Sequence, residues 1–273
     1  MFLGVKHSLT ERCWLGPSAI VERQALNLNQ QNNLPLPLCH VMARLGVSVE
    51  EVENFLNPTL RATMSDPKSL KDCTLAAKLI IEAAESKKAI AIFADYDVDG
   101  GASAALIFDF LAHFLVKPTL YVPDRIDEGY GPNPEAMRAL ATDHDLIICV
   151  DCGTVSHDAL ASATDADVIV LDHHLGAETL PPAKAVVNPN RQDETGELAH
   201  LCAAGVVFLV LIEAARLMRE KGKIPPNLLD SLDLVALATI ADVAPLVGIN
   251  RAFVRQGLNC LLYTSPSPRD IGP

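Results

Sequence analysis

Six aspartates and two histidines of this chain are spaced so that carboxylate and imidazole chemistry could be concentrated in one place. AIAIFADYDVDG sets Asp95, Asp97 and Asp99 directly after an apolar run, and DLIICVDCG leads into Asp151. DVIVLDHH ends on Asp172, His173 and His174, and LVALATIADVAPL carries Asp242 inside an otherwise apolar stretch. Gathering such groups in a low-dielectric place is costly unless a cation holds them. A pair of divalent ions would do so. Asp97 and Asp99 could each face a different ion, Asp95 could add a ligand, and Asp151 could bridge both. His173 offers an imidazole nitrogen, and Asp242 could complete the second ion's set. Mixed carboxylate and imidazole ligands suit Mn²⁺ or Mg²⁺ better than a thiolate-seeking metal. Two such ions roughly 3.5 to 4 Å apart are a common device for phosphoester hydrolysis by metal-activated water. Each motif alone has a blander reading, as a solvated DxD turn, a helix cap or a core histidine. Their shared placement at strand ends is what favours a site. Arg125 in VPDRIDEGYG could reach a phosphate, and Gly129 and Gly131 would let the backbone approach a substrate around Tyr130. His144, His157 and His200 have no such context and read as surface or locally hydrogen-bonded residues.

The elements that must position these groups alternate from Ala89 onward. Short apolar runs at 89–94, 119–122, 145–150, 167–171 and 184–187 read as strands, with helices at about 102–115, 133–142 and 155–163. Near-continuous apolar strands separated by helices indicate an α/β fold with a parallel sheet covered on both faces. The acidic motifs then fall at the carboxyl ends of strands, the edge where open α/β sheets bind ligands. Residues 1–85 read as a helical lead-in, with segments at 20–28, 40–44 and 49–56, the last behind a possible Ser48 cap. Asp66 and Pro67 then open LKDCTLAAKLIIEAAESKK. After Asn188 the chain becomes helical again, in LCAAGVVFLVLIEAARLMRE, in NLLDSLDLVALATIAD and from about Asn250. Residues 86–262 are expected to form the catalytic domain. YTSPSPRDIGP, at 263–273, breaks the last helix with prolines and serines and reads as a non-native tail.

Composition narrows the class. A chain of 273 residues, 49% hydrophobic, can build a substantial core. Its longest apolar run, 201–212, is short of the roughly 20 residues that span a bilayer, so no membrane partner is expected. The opening lacks the pattern of a signal peptide, and a cytoplasmic location is expected. Seven scattered cysteines suit buried thiols; Cys149 and Cys152 lack a second cysteine pair to complete a zinc site. A formal charge of −12 argues at first against nucleic acid, but metal-binding carboxylates account for part of it.

Read in order, DYDVDG, VPDRIDEGYG, VDCGT, LDHH, VVNPN, CAAGVVF and LVALATIADVAPLVGINR resemble the DHH phosphoesterases, and within them the single-stranded-DNA-specific exonucleases. The resemblance runs from about Arg44 to Leu262. It implies that Asp97, Asp99, Asp151, His173 and Asp242 bind two metal ions, Mn²⁺ or Mg²⁺, with Asp95 an addition. It further implies that His174 contacts the scissile phosphate and that Asp172 orients the histidine pair. The implied activity is removal of 5′ mononucleotides from single-stranded DNA in repair and recombination, with a helicase and a single-strand-binding protein as partners. An alternative within the family is hydrolysis of short oligonucleotides or cyclic dinucleotides. Ala102 stands where such chains usually carry threonine, and Ala238 where they carry glycine. The second phosphoesterase-associated domain and the OB-fold of such proteins have no counterpart in these residues, so a catalytic portion alone is expected, or an inactive fragment.

Overall fold

Five short runs of β-branched and apolar residues form the sheet that carries the site. They are β1 (Ile90–Ala94), β2 (Thr119–Tyr121), β3 (Leu146–Val150), β4 (Asp167–Leu171) and β5 (Ala185–Val187). In this computed structural model, which describes residues 3–264, all neighbouring pairs are parallel and the order is β2-β1-β3-β4-β5. Every residue of β1 and β3 is buried, as expected of central strands covered on both faces. The expected strands are all present, each within one residue of its expected bounds.

The chain divides after Ala62 into two compact units. In the first, α1 (Ala19–Asn32), α2 (Leu36–Arg44) and α3 (Val52–Leu56) enclose a small core around Ala25, Leu28, Cys39, Met42 and Val52. Ser18 accepts from Val21 N to cap α1, and the short α4 (Leu60–Thr63) lies at the division. The Ser48 side chain does not itself cap α3; Glu51, at the helix N-cap, accepts from the Ser48 amide and side chain, and α3 begins at Val52.

The second unit opens with a 3₁₀ turn at Pro67–Ser69, capped by Asp66, and α5 (Cys73–Glu85) follows. Asp66 thus caps that turn, and Asp72 opens the long helix. Sequence reading places α5 in the lead-in, but its apolar face packs on β5 and on α9 (Ala203–Glu220), so it belongs with the sheet. Between strands lie α6 (Val98–Ala112), α7 (Pro134–Asp143) and α8 (His157–Ala161). Alternation along the strands sends Ala91, Phe93, Ile147, Cys149, Val168 and Val170 to one face, where α7 and α8 cover them. The opposite face meets α5, α6 and α9.

The chain then forms a 3₁₀ turn at Leu228–Ser231, α10 (Leu232–Ala241) and α11 (Gly248–Thr264). α10 and α11 cross closely at Gly257, where a Cβ would lie 2.2 Å from Leu232 O and 2.4 Å from the Ala236 Cβ. Ala102 and Ala238 are both buried. Cys149 and Cys152 are buried free thiols, with Cys152 Sγ 3.3 Å from Val150 O. The expected tail at 263–273 lies outside the described residues apart from the backbone of 263–264, which continues α11.

Candidate metal centre

A parallel sheet of order 2-1-3-4-5 reverses its winding between β1 and β3, and the crevice at the carboxyl ends there is the usual ligand position. Asp95 follows β1 and Asp151 follows β3, one on each side of that crevice. Three motif aspartates are built alike. The amide of Asp95 donates to Val150 O, that of Asp151 to Leu171 O and that of Asp172 to Val187 O. Each is the first residue beyond its strand, still tied to the end of the next strand, so the three carboxylates emerge along one edge.

Asp97 caps α6, its Oδ1 accepting from Gly100 N at 3.0 Å. This turn folds back so tightly that a Cβ on Gly100 would lie 2.4 Å from Asp95 O, which only glycine permits. Asp99, one residue into α6, is 1% exposed. Its oxygens accept from Ala203 N at 2.6 Å and Ala204 N at 2.8 Å, so it caps the first turn of α9 from another helix. Asp151 sits at φ 59°, a left-handed conformation that aspartate tolerates and that functional sites often hold. Asp242 ends α10, and Val243 follows at φ 56° in a Schellman turn closed by Val243 N to Ile240 O and Ala244 N to Thr239 O.

These groups meet around His173. Its Nε2 lies 3.3 Å from Asp151 Oδ1 and 3.8 Å from Asp99 Oδ2, and its Nδ1 lies 3.9 Å from Asp242 Oδ2. Three overlapping groups have ligand atoms within 4.8 Å of one another: Asp95, Asp97 and Asp151; Asp99, His173 and Asp242; Asp151, His173 and His174. Asp97 and Asp99 fall in different groups, and Asp151 and His173 each belong to two. His174, expected at the phosphate, is therefore also within reach of a metal.

Asp172 has a different function from its neighbours. Its Oδ1 accepts from His173 N at 2.7 Å, His174 N at 3.2 Å and His174 Nδ1 at 2.8 Å, and its Oδ2 accepts from Thr154 N at 3.0 Å. Burial alone would raise its pKa, but the His174 contacts and the Thr154 bond outweigh it and hold it at about 2. The other carboxylates go the opposite way. Burial pushes Asp151 up to about 8, with Asp99 and Asp97 adding repulsion. Burial likewise raises Asp95, Asp99 and Asp242. Burial would lower His173, yet Asp151, Asp99 and Asp242 around it raise it to about 9. His174 is raised chiefly by its bond to Asp172. Asp95 Oδ1 is buried without a hydrogen-bond partner, and the buried Asp151 Oδ1 has the His173 imidazole 3.3 Å away. An orphaned carboxylate oxygen among like charges is an acceptor that a hard divalent cation satisfies.

The remaining sequence candidates lie at the rim. Tyr130 Oη is 3.0 Å from His174 Nε2, and Gly129 and Gly131 flank it at φ 85° and 72°. Arg125 stacks over the Tyr96 ring at 5.3 Å, and Tyr96 meets Tyr130 edge-on. His144 bonds Leu140 O and Thr119 Oγ1 locally. His200 is half-buried and makes a local hydrogen bond to the Glu197 backbone, as expected, while its Nε2 is buried without a partner. Sequence reasoning assigned no role to Tyr96, Thr154, Asn188, Asn190 or the first amides of α9. VVNPN and CAAGVVF gave a signal only as motifs of the family resemblance, with no role assigned to their residues.

An open parallel α/β sheet with carboxylates and imidazoles gathered at its switch point defines a class of doubly wound folds with a candidate metal centre. Within that class the chain belongs to the DHH family: the DHH family, N-terminal domain, matches residues 89–239. It is 39% identical over 248 residues to the single-stranded-DNA-specific exonuclease RecJ of Haemophilus influenzae, covering 88% of this chain and 42% of that protein. Its fold is similar to a crystal structure of exonuclease RecJ bound to manganese, at TM-score 0.62 and 38% identity over 70% of this chain and 48% of the other. It is also similar to RecJ in complex with Mn²⁺ from Thermus thermophilus, at TM-score 0.68 and 31% identity over 87% of this chain and 33% of the other. The chain spans about two fifths of the length of the curated relatives it matches. No helix among the described residues is long and apolar enough to cross a membrane.

Proposed function

We propose that this chain carries the catalytic centre of a metal-dependent exonuclease that degrades single-stranded DNA in the 5′ to 3′ direction, releasing 5′ mononucleotides. The observation that carries the reading is the meeting of Asp95, Asp97, Asp99, Asp151, His173 and Asp242 in overlapping ligand groups at the switch point. The RecJ relatives, two of them solved with Mn²⁺, supply the substrate class. Those six residues would hold two divalent ions, Mn²⁺ or Mg²⁺. When bound, the ions supply a water of lowered pKa and stabilise charge on the phosphoryl oxygens. His174, held at Nδ1 by Asp172, turns its Nε2 toward Tyr130 and solvent, where it can meet a phosphate oxygen. Arg125 and Tyr130, with Gly129 and Gly131, form the lip past which the strand would enter. The activity fits DNA repair and recombination in the cytoplasm, with a helicase and a single-strand-binding protein supplying and presenting the strand.

The test is Mn²⁺-dependent digestion of a long 5′-labelled single-stranded oligonucleotide, with Asp151→Ala alongside. Labelled mononucleotide from the parent and none from the variant supports the reading. No release from a parent that binds Mn²⁺, together with cleavage of short oligonucleotides or cyclic dinucleotides, would move the assignment to that alternative.

A further inference from the structure

We propose that Asn188 and Asn190, just past β5, are positioning residues for the histidine pair, fixing the backbone from which both imidazoles enter the carboxylate cluster. This rests on the metal-centre reading above. The last ladder bond of β4 runs from Asp172 N to Val187 O, and beyond it the histidine carbonyls have left the sheet. Asn190 Nδ2 donates to His173 O at 2.5 Å, and Asn188 Nδ2 donates to His174 O at 2.8 Å. Each histidine is thereby held at its carbonyl by a different asparagine, while Asp172 holds both amides.

Asn188 is wholly buried and its amide is fully used. Its nitrogen also donates to Thr154 Oγ1 at 2.8 Å, and its oxygen accepts from Asn190 N at 2.7 Å. Thr154 in turn donates its amide to Asp172 Oδ2, so Asn188 braces the carboxylate that grips His174. Aspartate has the same shape but no donors for these acceptors. Asn190 lies 3.5 Å from Ala199 O as well, on the approach to α9, whose first amides hold Asp99. One side chain thus spans the backbone of His173 and the segment leading to Asp99, two groups 3.8 Å apart in the cluster.

A purely structural staple for this loop already exists. Arg191 is buried, donating to Asp72 Oδ2 and Val186 O and pairing with Asp193. Gln192 Nε2 bonds Gly176 O at 3.1 Å, anchoring the same loop without touching either histidine. Loop closure therefore does not need the asparagine amides.

The experiment measures Mn²⁺ affinity by titration calorimetry on the whole chain, with thermal unfolding in chelator, for Asn190→Ala, Asn190→Asp and Gln192→Ala. Partners of ligand residues typically contribute 10- to 100-fold in metal affinity. Both Asn190 variants are expected to lose about that much, with metal-free unfolding within a few degrees of the parent, and Gln192→Ala is expected to keep parental affinity. Asn190→Asp preserves volume, so it reads the lost donors even if the alanine variant folds poorly. Parental Mn²⁺ affinity in Asn190→Asp, or an equal loss in Gln192→Ala, would overturn the proposal. Failure of the parent itself to bind Mn²⁺ would instead overturn the metal-centre reading on which it rests.

Discussion

Metal uptake by this chain should expel protons, and the geometry around His173 says how strongly. Burial raises Asp151 to about 8, and the carboxylates around His173 overcome its burial and raise it to about 9. Both folded-state values lie above their ordinary ones, so the stabilisation is fully present below the ordinary pKa and is lost as pH rises through 8 and 9. At neutral pH the His173–Asp151 pair, 3.3 Å apart, holds at least one proton. A divalent ion can use these atoms only after that proton leaves. Each proton released makes the apparent affinity rise about tenfold per pH unit, or about 1.4 kcal/mol. Mn²⁺ affinity is therefore expected to climb at least tenfold per unit between about pH 6.5 and 8 and to flatten above about 9. Calorimetry in buffers of different ionisation enthalpy counts the protons directly. In chelator, the melting temperature should fall over the same range, and saturating Mn²⁺ should restore it most at high pH. Flat affinity with no proton released between about pH 6.5 and 8.5 would refute the reasoning, because the His173–Asp151 pair would then lie outside the ion's path.

Other expected outcomes follow from single contacts. Asp172→Asn removes the charge that four donors converge on; with its pKa held at about 2, the loss is on the order of 2 kcal/mol, read as a lower urea midpoint at pH 7. That contribution is present above the ordinary carboxylate pKa and is lost as pH falls toward 2, so parent and variant should converge in acid. Gly257→Ala drives a Cβ into the backbone of α10 and should cost about 3 kcal/mol or more in the same measurement. Gly101→Ala, in α6 with nothing within 4 Å of its added Cβ, should gain about 0.5 to 1 kcal/mol. Val243→Gly relieves a left-handed β-branched residue and should raise stability by about 1 kcal/mol; unchanged unfolding would mean that the Schellman turn carries no strain.

The strands and most of the helices were legible because burial on both faces demands unbroken apolar runs, and turns demand polar breaks. The division of the chain was not. Residues 73–85 look like any amphipathic helix, and only the surface that α5 meets decides that it packs with β5 and α9. The helical start of α6 was expected at 102, but Asp97 caps it, so the motif DVDG is itself helix. A capping aspartate and a metal-seeking aspartate are the same residue in sequence, and at Asp97 the structure shows it capping while standing among possible ligands.

Sequence alone determined which residues stand at strand ends, because alternation and hydrophobic runs are local properties of the chain. It therefore named the carboxylates and histidines of the cluster and the family they resemble. Tertiary structure decided the strand order, and with it that Asp95 and Asp151 flank one crevice. It also decided that Asp99 caps α9, about a hundred residues away, that Asp172 grips His174, and that Asn188 and Asn190 hold the histidine carbonyls. Hydrogen bonds between distant backbone and side-chain groups leave no periodic trace in a sequence; they exist only once the sheet has brought their partners within about 3 Å of one another.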